Sequence, residues 1–209
     1  MPRAIMAGQT SGSGAASTAL ASPPDWANPA TVGLSAFGLT TILAGLAVGN
    51  WIASGPVFAM ALAWGGSTQL VAGIVALRKG EIFAGSAFTG YGAFWWAYGL
   101  MLLLLPTIGG YSLNLYGVAA FMFVWMLWTL TFLVSAPKHG IGVFLVFLFL
   151  FIAFILLTVL FYELASGVHI ATATMQGIGA EIILDGAIAW FVALAIQTNA
   201  NYGRRLIPV

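Results

Sequence analysis

Along the chain, polar and apolar positions separate into long blocks rather than short periods. A stretch rich in Ser, Ala, Gly and Thr, closed by Pro23-Pro24 before Asp25, gives way to apolar segments near residues 30–49, 56–77, 82–105, 113–134, 141–162 and 174–197. Each segment runs to about 20 residues or more, enough to cross a hydrocarbon core as a helix. None shows period-two alternation, and each is about twice as long as a transmembrane barrel strand. The pattern predicts an all-α integral membrane protein, six transmembrane helices in a channel-like bundle over 26–209. Residues 1–25 read as a disordered cytoplasmic tail, and they lack the continuous apolar core of a cleaved signal peptide.

Composition agrees. Of 209 residues, 61% are hydrophobic and 5% charged, with a mean hydropathy of +1.03. Soluble domains carry roughly a quarter charged residues, so a soluble protein could not solvate this surface. The few charges predict orientation. Arg78 and Lys79 lie between segments 2 and 3, Lys138 between 4 and 5, Arg204 and Arg205 after 6, and Arg3 in the tail. The loops near 50–55, 106–112 and 163–173 hold no Lys or Arg. All six basic residues thus fall on one side of a six-span arrangement. The positive-inside rule makes that side cytoplasmic, with both termini inside a plasma or inner membrane.

Aromatics at Trp26, Trp51, Tyr111, Tyr116 and Tyr162 mark the interfaces as a belt. Small residues four apart, such as Gly45 and Gly49 or Ser86 and Gly90, predict tight helix–helix contact.

Catalysis finds little support. There is no cysteine, and the two histidines, His139 and His169, stand far apart near loops. No metal-ligand spacing, phosphate loop or nucleophile elbow occurs, so no enzyme, cofactor or metal site is expected. The scattered basic residues predict no nucleic-acid partner.

Polar residues inside the spans carry the chemistry instead, because polar groups in lipid are costly and face the bundle interior. Thr40, Thr41, Gln69, Thr89, Tyr91, Trp95, Glu181 and Asp185 are the candidates. The threonines have a structural alternative in bonding to the carbonyl four residues back, and Gln69 one in a helix–helix hydrogen bond. No Arg or Lys lies at mid-membrane to hold an anion, which favours a small weak acid or neutral solute over a polyanion. Glu181 and Asp185 share a helix face at i and i+4, and two close carboxylates in low dielectric do not both ionise easily. They are candidates for proton coupling; the alternative is a structurally hydrogen-bonded pair.

The first segment begins unusually for an anchor. Asn28-Pro29-Ala30 offers a side-chain acceptor to free N–H groups and a Pro at the helix start. Phe37, Thr40 and Thr41 follow at i, i+3 and i+4, with Gly33 and Gly38 admitting close backbones. From a cytoplasmic Asn28, Phe37 lies roughly 15 Å deeper, near the bilayer centre.

Three blocks together resemble the acetate uptake transporter family of bacterial succinate–acetate permeases. The first runs from Asn28-Pro29-Ala30 through Gly33-Leu34 to Phe37 and Thr40-Thr41, with Thr31 and Val32 replacing the Pro and Leu of the family's Asn-Pro-Ala-Pro-Leu-Gly-Leu signature. The second is Gly65-Gly66-Ser67-Thr68-Gln69, then Ala72-Gly73, Lys79-Gly80, Phe88, Tyr91-Gly92 and Phe94-Trp95. The third is Asn201-Tyr202-Gly203-Arg204-Arg205-Leu206-Ile207-Pro208.

The resemblance implies a homo-hexamer in the lipid bilayer, one pathway per subunit, carrying acetate and related short carboxylates, in several members with protons. It implies a constriction of a Phe, a Tyr and a Leu. These match Phe37, Tyr91 and, at or next to it in a segment almost wholly Leu, Phe and Val, Leu150. Asn28, Thr40, Thr41, Gln69 and Trp95 are then the substrate pathway. The chain departs at Ala76, where an acidic residue is usual, at Glu81, and at Glu181 and Asp185.

A channel for small neutral solutes of the urea, ammonia or water type is the alternative. Against it, the Asn-Pro triplet such channels duplicate at mid-membrane occurs once, before segment 1. A membrane sensor is the third reading, but the loops leave no room for a signalling domain.

Overall fold

The computed structural model describes residues 26–103 and 113–209. The expectations for the tail, Arg3, Tyr111 and the loop at 106–112 therefore lie outside the described residues. Six long helices occupy the six apolar segments. They are α1 (Ala30–Val48), α2 (Gly55–Arg78), α3 (Ile82–Leu103), α4 (Leu115–Leu133), α5 (Ile141–Ala165) and α6 (Thr172–Tyr202). No strand occurs among the described residues. All but α3 are long and apolar enough to cross a membrane. The exception, α3, is 22 residues long but carries four glycines, two tryptophans and two tyrosines.

Two helices depart from the sequence expectation. Helix α6 runs 31 residues, beyond the segment at 174–197, until Gly203 takes a left-handed φ of 62° that stops it. Helix α2 is interrupted over Ala61–Thr68 by a π-helical stretch, in which each carbonyl bonds one residue further along than in an α-helix. Hydroxyls support the widened turn. Ser67 Oγ donates to Leu62 O at 2.8 Å and Thr68 Oγ1 to Ala63 O at 3.3 Å, each reaching back five residues.

Glycine contacts set how closely the helices approach. On α1 and α6, which run antiparallel, a Cβ on Gly38 would lie 2.6 Å from Gly186 O, and one on Gly45 would lie 2.7 Å from Gly179 O. The reciprocal distances from Gly186 and Gly179 are both 2.6 Å. Backbone therefore meets backbone at two points seven residues apart on each helix. Helices α2 and α3 meet similarly, with Gly73 against Thr89 and Gly92 against Leu70 and Gly66 O.

The distribution of polarity suits a lipid solvent. Thr40, Thr41, Gln69, Thr129 and Asp185 are buried, while Val71, Ile74, Val134, Ile141 and Phe191 are exposed. Trp26, Trp51, Tyr116 and Tyr162 are exposed as an aromatic belt requires, and the last two rings pack edge to face.

Candidate functional site

Two cavities in the bundle share part of their walls. The mouth cavity, about 350 Å³, is bordered by Asn28 before α1, Gln69 on α2, Glu81 and Phe83 at the start of α3, and His139 between α4 and α5. Phe37, Tyr91 and Leu150 also border it. The inner cavity is about 40 Å³, bordered by Thr41, Trp95, Tyr98, Phe154 and Asp185 among others. Phe37 and Leu150 border both cavities and form the partition between them.

The partition is held by aromatic packing. Phe37 and Tyr91 lie 5.8 Å apart between ring centroids, tilted by 58°. Behind Tyr91 stand Trp125, Phe132 and Phe147, each with its centroid 6.2 Å away. The Tyr91 hydroxyl donates to Thr129 Oγ1 on α4 at 2.9 Å, which itself donates to Trp125 O at 2.8 Å. What Tyr91 presents to Phe37 is its ring.

The remaining candidates divide by position. Asn28, one residue ahead of the cap position at Pro29, accepts from Ala30 N–H through its Oδ1 at 2.9 Å, and it borders the mouth cavity. Gln69 is 1% exposed and borders the same cavity, and its Oε1 has no partner among the described residues. Thr40 and Thr41 donate to Ala36 O and Phe37 O, both at 2.8 Å, so each hydroxyl proton is committed to the helix. Only Thr41 faces the inner cavity; Thr40 packs against Gly65 and borders neither cavity. Thr89 likewise donates back to Gly85 O at 2.7 Å.

The π-helical stretch positions α3. Gly65 has no room for a Cβ, which would lie 2.8 Å from Thr40 Oγ1 and 3.0 Å from Trp95 Cδ1. Trp96 Nε1 donates to Ser67 Oγ at 3.2 Å. The Gly65-Gly66-Ser67 block thus seats both tryptophans of α3, turning Trp95 toward the inner cavity.

Of the acidic pair, Asp185 borders the inner cavity and is fully buried, while Glu181, one turn earlier, borders neither. Neither carboxylate has a hydrogen-bond partner among the described residues. No group of three or more His, Asp or Glu residues capable of holding a metal occurs among them either.

Sequence reasoning missed His139, Phe147 and Ile196 at the mouth cavity. The His139 ring stacks on Phe83 with centroids 3.9 Å apart. No spacing signal links residues on opposite sides of two helices; a histidine in a basic-side loop was the one available hint.

A family model described as the GPR1/FUN34/yaaH family matches residues 11–204. The chain is 36% identical over 191 residues to an uncharacterized protein of Methanothermobacter thermautotrophicus, covering 87% of this chain and 90% of that one. It is 34% identical over 186 residues to the succinate-acetate/proton symporter SatP of Escherichia coli (strain K12), covering 88% and 95%. Among solved structures, the bacterial acetate channel SatP is similar with a TM-score of 0.80 at 30% identity, covering 88% of this chain and 99% of that one.

Proposed function

The chain belongs to the GPR1/FUN34/yaaH family, and on that premise we propose that it is a multi-pass membrane pathway for acetate and related short monocarboxylates. The observation that carries this reading is the pair of cavities divided by Phe37 and Leu150 with Tyr91 beside them. A partition of large apolar side chains empties itself of water, so a hydrated ion is rejected and a partly dehydrated or protonated acid passes. Asn28 and Gln69 offer polar contacts before the partition, Thr41 and Trp95 after it. Six spans with both ends cytoplasmic, and assembly as a homo-hexamer with a pathway in each subunit, belong to the same proposal. The first is supported by the gathering of basic residues at one end, and linkage to protons by the acidic residue on the inner cavity.

Uptake of labelled acetate into proteoliposomes tests it, with urea and glycerol as controls. Saturable acetate uptake well above that of protein-free liposomes is expected, with both controls at background. Acetate at background overturns the reading, and rapid urea or glycerol entry turns it into a neutral-solute channel.

A further inference from the structure

The inner cavity is bordered by polar groups that the protein's own hydrogen bonding leaves open. Both oxygens of Asp185, at 0% exposure, lack a partner among the described residues. So does the indole N–H of Trp95, at 3% exposure, on the same cavity. Buried donors and acceptors are nearly always satisfied, so an open donor and an open acceptor carried by two residues that border one cavity mark a place that a guest completes.

Size and wall chemistry narrow the guest. A water needs about 10–15 Å³ on this measure. At about 40 Å³ the cavity has room for a few such atoms, the scale of an acid with four heavy atoms. Phe94, Phe154 and Leu157 supply an apolar wall for a methyl group. The Thr41 hydroxyl, its proton given to Phe37 O, can only accept.

Charge narrows it further. The titratable groups near Asp185 are Glu181 on its own helix and Tyr91 and Tyr98 from α3. The cavity residues from α1, α4 and α5 include none, and no Lys, Arg or His borders the cavity. An ionised solute beside an ionised Asp185 would meet charge repulsion there with no cation on the cavity to offset it. One proton shared between the two carboxyl groups removes it and forms a strong O–H···O bond.

We propose that the inner cavity is a binding site for a short monocarboxylate taken up with one proton, Asp185 sharing that proton with the solute and Trp95 donating its N–H to the solute's carboxyl group. This rests on the transport reading above and adds to it the point where solute and proton meet.

Acetate binding to the purified protein, followed by calorimetry from about pH 5.5 to about pH 8.5, is the test, because the slope of affinity against pH counts protons bound. In the wild type, affinity falls as pH rises, approaching tenfold per pH unit on the alkaline limb. Asp185→Asn offers an amide donor that needs no proton, so its affinity stays within about twofold across the range. Trp95→Phe keeps the wild-type slope but binds about tenfold more weakly, having lost one hydrogen bond to a charged group. The same slope in Asp185→Asn, or full affinity in Trp95→Phe, overturns the site. Should the variants not fold, wild-type calorimetry in two buffers of different ionisation enthalpy decides: one proton taken up per acetate at alkaline pH supports it and none overturns it. Acetate uptake is measured in parallel. Uptake by the wild type with no proton taken up removes this site alone, and uptake at background removes the transport reading.

Discussion

At the scale of single residues, Tyr91 separates shape from hydrogen bonding. The ring of Tyr91 meets Phe37, whereas its hydroxyl is directed at Thr129 on a neighbouring helix. Tyr91→Phe therefore keeps the ring against Phe37 and loses one buried hydrogen bond, costing about 1 kcal/mol of stability. Acetate flux into proteoliposomes is expected to stay within about twofold of wild type, since the ring that packs there is unchanged. Tyr91→Ala removes the ring, joins space around Phe37, and should raise flux and admit bulkier monocarboxylates such as pyruvate. A tenfold loss in Tyr91→Phe would show that the hydroxyl meets the solute after all. The two threonines teach a related lesson. Residues 40 and 41 both looked like pathway groups in the sequence, but neighbours on a helix point about 100° apart. One face of the helix has room for one of them at the inner cavity, and Thr41 is the one that borders it.

At the scale of helices, the α1–α6 seam is the firmest joint near the passage, and glycine makes it so. A Cβ at Gly38 or Gly186 would press on a backbone carbonyl of the opposite helix, which cannot swing away as a side chain can. Gly38→Ala and Gly186→Ala should each cost about 1–3 kcal/mol by overpacking. A methyl group added at Gly117 or Gly177 would meet nothing within 4 Å, so Gly117→Ala and Gly177→Ala serve as controls. They should be neutral or stabilising by about 0.5–1 kcal/mol, because alanine loses less entropy in a helix. Thermal unfolding in detergent distinguishes the sets; equal behaviour of all four would mean the seam is loose. The six helical segments were legible because twenty apolar residues in a row permit little else. The seam was not, because it pairs glycines seven apart in each helix across about 140 residues of chain, among 26 glycines in all. The π-helical stretch was equally hidden: Gly65-Gly66-Ser67-Thr68 marks a special backbone, but its wider turn depends on α1 and α3 packing against it.

At the scale of the whole molecule, orientation is the property on which both cavities depend. Asn28, Glu81 and His139 border one cavity, and Gly140 approaches Val209 at the chain's end, so the stretches bearing Lys79, Lys138, Arg204 and Arg205 gather at one end of the bundle. The exposed loop at 166–169 holds no basic residue other than His169. Segregation of this kind is what fixes topology during insertion, and it predicts a cytoplasmic mouth cavity. The chain has no cysteine, so single cysteines report on it without background. Lys138 and His169 are both exposed and lie at opposite ends of α5. On intact cells, a membrane-impermeant maleimide should label His169→Cys at once and Lys138→Cys only after permeabilisation. Labelling in the reverse order would turn the protein over and place Asp185 on the cytoplasmic side of the partition. Labelling of both from one side would mean that α5 does not cross, and the proposed passage between α1, α3 and α5 would then not connect the two faces of a membrane.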